Sequence, residues 1–367
     1  MFISSLRTAF FRNLAEAEVF TGAKDVFLIG ENGQGKTNFL EALYFCAYAS
    51  SFRGARDSEL ARNGEKDFSA EIKTEKAAGS GVLIKFEKNK KTVFIEGKRI
   101  EDRKDLLSVA PCIVFCHEDM EFVSGSPERR RWFFDQALSL YDPVYLDDLR
   151  RYRRVLKSRN MVLRDFSLHR LSGSPEPLLD ALDPQYVMYG IKLMEKRETA
   201  VRLFSGVFGS LYEEVSGIAA VNVQYAPSWK EASEDRAASL LRERRAADMA
   251  SGISLTGPHR DRYVFAHNNA EFAGRASTGQ RRLLALLLRV AQARRFAEMT
   301  GKNPVLLLDD VLLEMDGEKR RRFLSVLPGY DQAFYTFLPE EPYQLYRKED
   351  TLVYCVNDGQ LSSQVNQ

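Results

Sequence analysis

The hydrophobic positions of this chain change rhythm along its length. Val26-Phe27-Leu28-Ile29 form an unbroken apolar run that ends at Gly30, the pattern of a strand buried on both faces of a parallel sheet. Phe39, Leu40, Leu43 and Tyr44 then recur at steps of three and four, which predicts a helix. Between 70 and 100, Ile72, Val82, Leu83, Ile84, Phe86, Val93, Phe94 and Ile95 alternate loosely with charges. Glycine and an Asn-Lys-Lys break that stretch, so short antiparallel strands and hairpins are expected. Ile113-Val114-Phe115 is a further short strand.

From Asp135 to Ala250 the rhythm is helical. Leu149, Tyr152, Leu156, Asn160 and Leu163 stripe one face, with arginines between them, which predicts an amphipathic helix with a basic side. A second long helix is expected over 184–215, a strand over 221–225 and a solvated, Arg-rich helix over 231–249. The α/β pattern then returns. Residues 283–293 are apolar nearly all round, as in a buried helix. Val305 to Leu308 form a buried strand that ends in Asp309-Asp310, and 352–356 a late strand. The pattern describes an α/β domain over 1–115 and 256–367, with a mainly helical lobe inserted over 116–255.

Composition narrows the function classes. A length of 367 residues with 44% hydrophobic and 28% charged positions suits two ordered domains and excludes a chain disordered throughout. Lys and Arg total 53 against 51 Asp and Glu, which excludes a uniformly basic coat but not a local patch. Such a patch is concentrated between Glu128 and Arg164, where ten basic residues face five acidic ones. It is a candidate surface for phosphate backbone. A lesser candidate is Arg242, Arg244 and Arg245. Four cysteines are too few for a disulfide framework and fit a reducing compartment. Cys112, Cys116 and His117 lack a second ligand pair, so buried structural cysteines are expected rather than a metal centre. There is no signal-peptide pattern and no apolar run near the ~18 residues of a membrane span. A cytoplasmic protein without a membrane partner is expected.

The chemistry begins at Gly30-Glu31-Asn32-Gly33-Gln34-Gly35-Lys36-Thr37, which matches G-x-x-x-x-G-K-[ST]. Glycines at these positions let backbone N–H groups approach phosphates, Lys36 reaches the β- and γ-phosphates, and the Thr37 hydroxyl ligates Mg²⁺. A strand before and a helix after supply the context that this motif requires. ATP with Mg²⁺ is the expected ligand. Asp309, delivered by a buried strand to the edge where ligands sit, would hold Mg²⁺ with Thr37. Asp310 would polarise the attacking water. Ser277-Thr278-Gly279-Gln280 precedes the buried helix and resembles the signature motif of ABC-type ATPases. In that class such a helix start meets the γ-phosphate held by a second subunit. Ser277, Gly279 and Gln280 are therefore candidates for completing a partner's nucleotide site.

The order of further segments makes a family resemblance specific. Phe11-Arg12-Asn13, the segment GENGQGKTNFLEA from Gly30, Ser51-Phe52-Arg53, and Gly125-Ser126-Pro127 with Arg130, Arg131 and Asp135 resemble motifs of the RecF family. So do Tyr152, Leu156, Arg159 and Asn160, then Gly257-Pro258-His259-Arg260-Asp261, and Leu308-Asp309-Asp310-Val311-Leu312 with Glu314 and Asp316. These are bacterial ATPases of DNA replication and recombinational repair, and the resemblance covers nearly the whole chain. It implies an ABC-type ATPase head with a largely helical second lobe. It also implies weak ATP hydrolysis coupled to dissociation of a head-to-tail homodimer and to DNA release. The dimer would bind DNA at single-strand/double-strand junctions and, with RecR and RecO, help load RecA in the SOS response. Asp316 would sit at the subunit boundary. A small-molecule P-loop kinase and a transporter ATPase subunit are the alternatives. The role of His259 stays open between a γ-phosphate sensor and a turn residue.

Overall fold

The computed structural model describes residues 2–363 except 76–80, 172, 313, 314 and 316. Glu314 and Asp316, both part of the family resemblance, lie outside the described residues. The chain divides into two compact units, residues 1–119 with 293–367, and residues 120–292.

The first unit holds two six-stranded sheets. One is antiparallel, in the order Ala17–Phe20, Ile3–Ala9, Phe68–Thr74, Gly81–Glu87, Lys90–Ile95, Lys98–Ile100, which includes the hairpins expected over 70–100. The other runs Gln360–Ser363, Leu352–Asn357, Asp25–Ile29, Gln332–Phe337, Val305–Leu308, Cys112–Phe115. Its pairings are parallel except at Gln360–Ser363. The apolar runs at 26–29 and 305–308 are buried throughout, as strands covered on both faces must be. Between the sheets packs the helix Lys36–Tyr48, whose Phe39, Leu40, Leu43 and Phe45 share one core with Leu6, Ile72, Ile84, Val114, Leu307 and Phe334.

Parallel order fixes where chemistry can occur. Asp25–Ile29 and Val305–Leu308 are separated by the strand Gln332–Phe337 alone. All three end at the same sheet edge, so Gly30, Asp309 and Thr336 meet there. Open α/β sheets bind ligands at this edge.

The second unit is mainly helical: Pro127–Tyr141, Pro143–Ser167, Glu176–Ser216 and Glu234–Ser251. It also carries an antiparallel sheet of Val221–Ala226, Arg262–His267 and Ala270–Glu271. The division by contacts returns to the first unit at 293, not at 256 as the sequence pattern suggests. The reason is strand pairing: Arg262–His267 bonds along its length to Val221–Ala226, which ties 262–271 to the inserted unit. The division itself falls inside the helix Thr278–Thr300. The long helix begins at Glu176, eight residues before the expected start, and carries Pro184 within it.

Candidate nucleotide site

The phosphate loop lies between the strand Asp25–Ile29 and the helix Lys36–Tyr48. Gly33 and Gly35 have φ values of 81° and 116°, backbone that favours glycine. A Cβ at Gly30 would stand 2.4 Å from the Val356 carbonyl oxygen. The loop is braced from two sides. Asn13 donates to the Gly33 carbonyl at 3.3 Å and accepts from Asn38 at 2.7 Å. From the C-terminal hairpin, Asp358 N donates to Gln34 Oε1 at 2.6 Å and Gly359 N to the Gln34 carbonyl at 2.8 Å. Gln34 thus ties the loop to the hairpin.

The helix behind the loop has a buried acid of its own. Glu41 is fully buried and accepts from Arg12 Nε at 2.9 Å and from the Ser51 hydroxyl. The segments Phe11-Arg12-Asn13 and Ser51-Phe52-Arg53 therefore act together: both converge on the phosphate loop and its helix. Arg53 Nη1 donates to Asn38 Oδ1 at 3.3 Å.

Lys36 is 4% exposed. Its Nζ donates to the Gly30 carbonyl at 2.5 Å and to the Glu31 carbonyl at 3.1 Å. The ammonium is folded back over its own loop. Thr37 Oγ1 donates to Asp309 Oδ1 at 2.9 Å. Thr336 binds both acids: its hydroxyl is 3.3 Å from Asp309 Oδ1 and 2.8 Å from Asp310 Oδ1, and it accepts from Asp310 N at 2.7 Å. Burial pushes the Asp309 carboxyl up to about 7, and the neighbouring Asp310 charge adds to this against the bonds from Thr37 and Thr336. A half-buried pair of adjacent carboxylates of this kind is stabilised by a cation. Thr37 and Asp309 together offer the hard oxygen donors that Mg²⁺ prefers.

Glu31, Asn32, Gly33, Gly35, Lys36, Thr37, Asn38, Arg53 and Asp310 line one cavity of about 250 Å³. The loop and strand residues named from the sequence therefore come together. Asn13, Asn38, Arg53 and Thr336 join them, although no part of the phosphate-loop pattern points to these four. Thr336 is reached only through strand order.

Ser277, Gly279 and Gln280 lie in the second unit, at the start of the helix Thr278–Thr300. Ser277 N donates to Gln280 Oε1 at 2.8 Å, and Gln280 N donates to Ser277 Oγ at 3.2 Å. This reciprocal pair is a capping box, so the Gln280 side chain serves the helix end. Ser277, Thr278 and Gly279 are exposed, and a Cβ at Gly279 would meet nothing within 4 Å.

Two arginines singled out for surface chemistry, Arg159 and Arg245, instead hold the second unit together. Arg159 is fully buried, with Nε 2.8 Å from Asp183 and Nη1 2.7 Å from Asp248. It cannot belong to a phosphate-binding face. Arg245, in the lesser basic candidate, pairs with Asp180 and Asp183 at 2.6 and 2.8 Å. Arg197 joins Asp135 to Asp261 at 2.8 Å each. His259 contacts the Tyr152 hydroxyl at 2.9 Å and the Ser254 carbonyl at 2.9 Å. Burial pushes its imidazole down to about 4, so the ring is neutral at physiological pH. Arg159→Ala is expected to lower stability by about 3–5 kcal/mol, because it leaves the buried Asp248 carboxylate without its cation and Asp183 with Arg245 alone. At Arg154, on the exposed side of the same helix, alanine is expected to change stability by less than about 0.5 kcal/mol. Urea unfolding of both variants checks the contrast, and equal losses would contradict it.

Cys46, Cys112 and Cys116 are buried free thiols, and burial pushes Cys112 up to about 12. No group of three or more His, Cys, Asp or Glu among the described residues is arranged to hold a metal ion. Among those residues, no helix is long and apolar enough to cross a membrane.

Residues 2–338 match the family model described as RecF/RecN/SMC N terminal domain. Over 351 residues the chain is 44% identical to the DNA replication and repair protein RecF of Treponema pallidum, covering 95% of this chain and 97% of that one. The chain belongs to the RecF family. Within it, a solved structure of the recombination mediator protein RecF-ATP in the RecFOR pathway superposes with a TM-score of 0.89 at 26% identity. The superposition covers 99% of this chain and 97% of that one. An Smc head bound to the C-winged helix domain of ScpA shares the fold alone, with a TM-score of 0.55 at 14% identity over 99% and 97% of the two chains. The chain is thus an ABC-type ATPase head with a large helical region, in a family of DNA replication and repair proteins.

Proposed function

We propose that the chain is an ATP-driven clamp that acts on DNA during replication and recombinational repair. The observation that carries this is the cavity shared by the phosphate loop and Asp310, with Asp309 bonded to its lining residue Thr37. Backbone N–H groups of 30–37 cradle the phosphates, and Lys36 leaves its loop carbonyls to bind the β- and γ-oxygens. Mg²⁺, held by Thr37 and Asp309, would neutralise charge between these phosphates. Asp310, oriented by Thr336, polarises the attacking water and accepts its proton.

The exposed start of Thr278–Thr300 supplies the second half of the site in another copy. Nothing among the described residues needs glycine at 279, since a side chain there would meet open space. A glycine at this position instead lets a large anion approach the helix end. Two copies facing head to tail would then trap two nucleotides between them. ATP thus joins the copies, and slow hydrolysis separates them and releases DNA.

The DNA surface lies on the second unit. Arg129, Arg154 and Lys157 are exposed and stand ready for phosphate contacts without base readout. We assign the substrate as gapped DNA with a single-strand/double-strand junction. RecR and RecO would cooperate at that junction to load RecA, within the SOS response in the cytoplasm. Filter binding with gapped DNA tests this. ATP and Mg²⁺ are expected to tighten binding at least tenfold, and binding should weaken steeply with added salt. Affinity indifferent to both ATP and salt would overturn the proposal.

A further inference from the structure

We propose that a second cavity, lined in part by Arg129, Arg131, Trp132, Arg153, Leu156 and Arg260, receives one unpaired, phosphate-bearing nucleotide of a DNA strand. This rests on the reading that the chain engages DNA. It adds what part of the DNA is gripped and by which residues. The cavity lies wholly within the second unit and measures about 550 Å³. That is the size of a small-ligand pocket, large enough for one nucleotide and too small for a duplex.

The lining combines the two features that unpaired nucleotides need, a positive rim and an aromatic platform. Five arginines line it against Glu128 and Asp135. Arg197 is committed to Asp135 and Asp261, and Arg153 is 3.2 Å from Asp135 yet 58% exposed. The Arg129 side chain makes no hydrogen bond or ion pair with any described residue and is exposed. Among the described residues, the Arg260 side chain makes only two long contacts, 3.4 and 3.3 Å, to the Ser254 carbonyl. Guanidinium groups held near one another without full acidic compensation are a phosphate site in waiting.

Trp132 supplies the platform. One face of its ring stacks on Phe122, with centroids 5.6 Å apart and planes 23° apart. The side chain is nonetheless 38% exposed and lines the cavity. Packing alone would bury an indole, as it buries Trp229 to 2%. Leu149 and Leu156 add apolar lining. Tyr152, another lining residue, has its hydroxyl held 3.2 Å from Tyr186 and 2.9 Å from His259. A stacked base and a phosphate in the arginine rim fit this surface without any base-edge partner, so binding is indifferent to sequence.

The same chemistry is offered by a strand and by a free nucleotide, and the test separates them. Trp132 and Trp229 are the two tryptophans, and Trp229 is buried, so fluorescence changes report Trp132. The full chain is titrated with 5′-phosphorylated oligothymidylate, with a blunt duplex of equal length and with thymidine monophosphate. Quenching is expected with the single strand at concentrations at least roughly tenfold below those of the other two. Trp132→Phe should remove the signal. Trp132→Ala and Arg129→Glu should each weaken strand binding, read by anisotropy of a labelled strand, by roughly tenfold. Arg129 is exposed and unpaired among the described residues, so its variant also guards against misfolding as the cause. Unchanged affinity in both variants overturns the proposal. So does saturation by the mononucleotide at the concentration that the strand requires, or equal quenching by the duplex. If wild type and variants bind gapped DNA equally well with ATP, this cavity is excluded while the DNA reading stands. If wild type binds no DNA at all, both fall.

Discussion

Replacing Lys36 by alanine is expected to weaken ATP binding by at least a hundredfold, about 2.7 kcal/mol, while the fold survives. The ammonium is almost fully buried and held by two carbonyls of its own loop, Gly30 and Glu31. Its removal leaves no buried acid without a partner, so little folding energy is lost. What disappears is the cation at the centre of the phosphate cradle, and hydrogen bonds to charged groups contribute about 1.5–3 kcal/mol each. Arg53, at the cavity edge, is exposed and cannot replace it. Titration calorimetry with ATP and Mg²⁺ reads the loss directly. Normal affinity in the variant would mean that the phosphate loop does not bind the nucleotide.

Asp310→Asn is expected to separate binding from turnover. Asparagine keeps an oxygen for the Thr336 hydroxyl, now 2.8 Å from Asp310 Oδ1, and the backbone bond of 2.7 Å from residue 310 to Thr336 is untouched. Asp310 has a φ of 51°, a conformation that Asn tolerates as well as Asp does. Geometry should therefore hold while the proton acceptor is lost. General-base catalysis contributes typically 10²–10⁴ in rate, so single-turnover hydrolysis should slow by roughly that factor. ATP affinity should be unchanged, and the two-copy state should persist longer. An unaltered rate would move the water-polarising role to another side chain.

Sequence and structure agree unevenly, for physical reasons. The strands at 26–29 and 305–308 are legible because burial on both faces forces unbroken apolar runs. The phosphate loop is legible because glycine and lysine have few substitutes in that geometry. The strand Gln332–Phe337 is equally buried, yet Gln332 and Thr336 interrupt its pattern. Gln332 is spent on backbone of Ile3 and Thr21, and Thr336 on the two acids. Polar residues with such duties disguise a core strand as a loop. The basic stretch at 128–164 misleads in the opposite sense. Charge counting cannot tell Arg159, wrapped around two buried acids, from Arg154 on the exposed face of the same helix. The capping box at Ser277 and Gln280 is local and could have been read from the Ser-x-x-Gln spacing. The pairing that draws 262–271 into the second unit is a long-range choice, visible only in three dimensions.

ATP is expected to join two copies through the exposed helix start at Ser277. The most direct test is the solution mass by light scattering, without nucleotide and then with ATP and Mg²⁺, using the slow-turnover Asp310→Asn chain. The chain mass is 41.8 kDa. A rise from that value to about 84 kDa, twice the chain mass, that is lost again in Ser277→Arg, is the expected result. A mass that stays at one chain while calorimetry shows bound ATP would contradict the shared site.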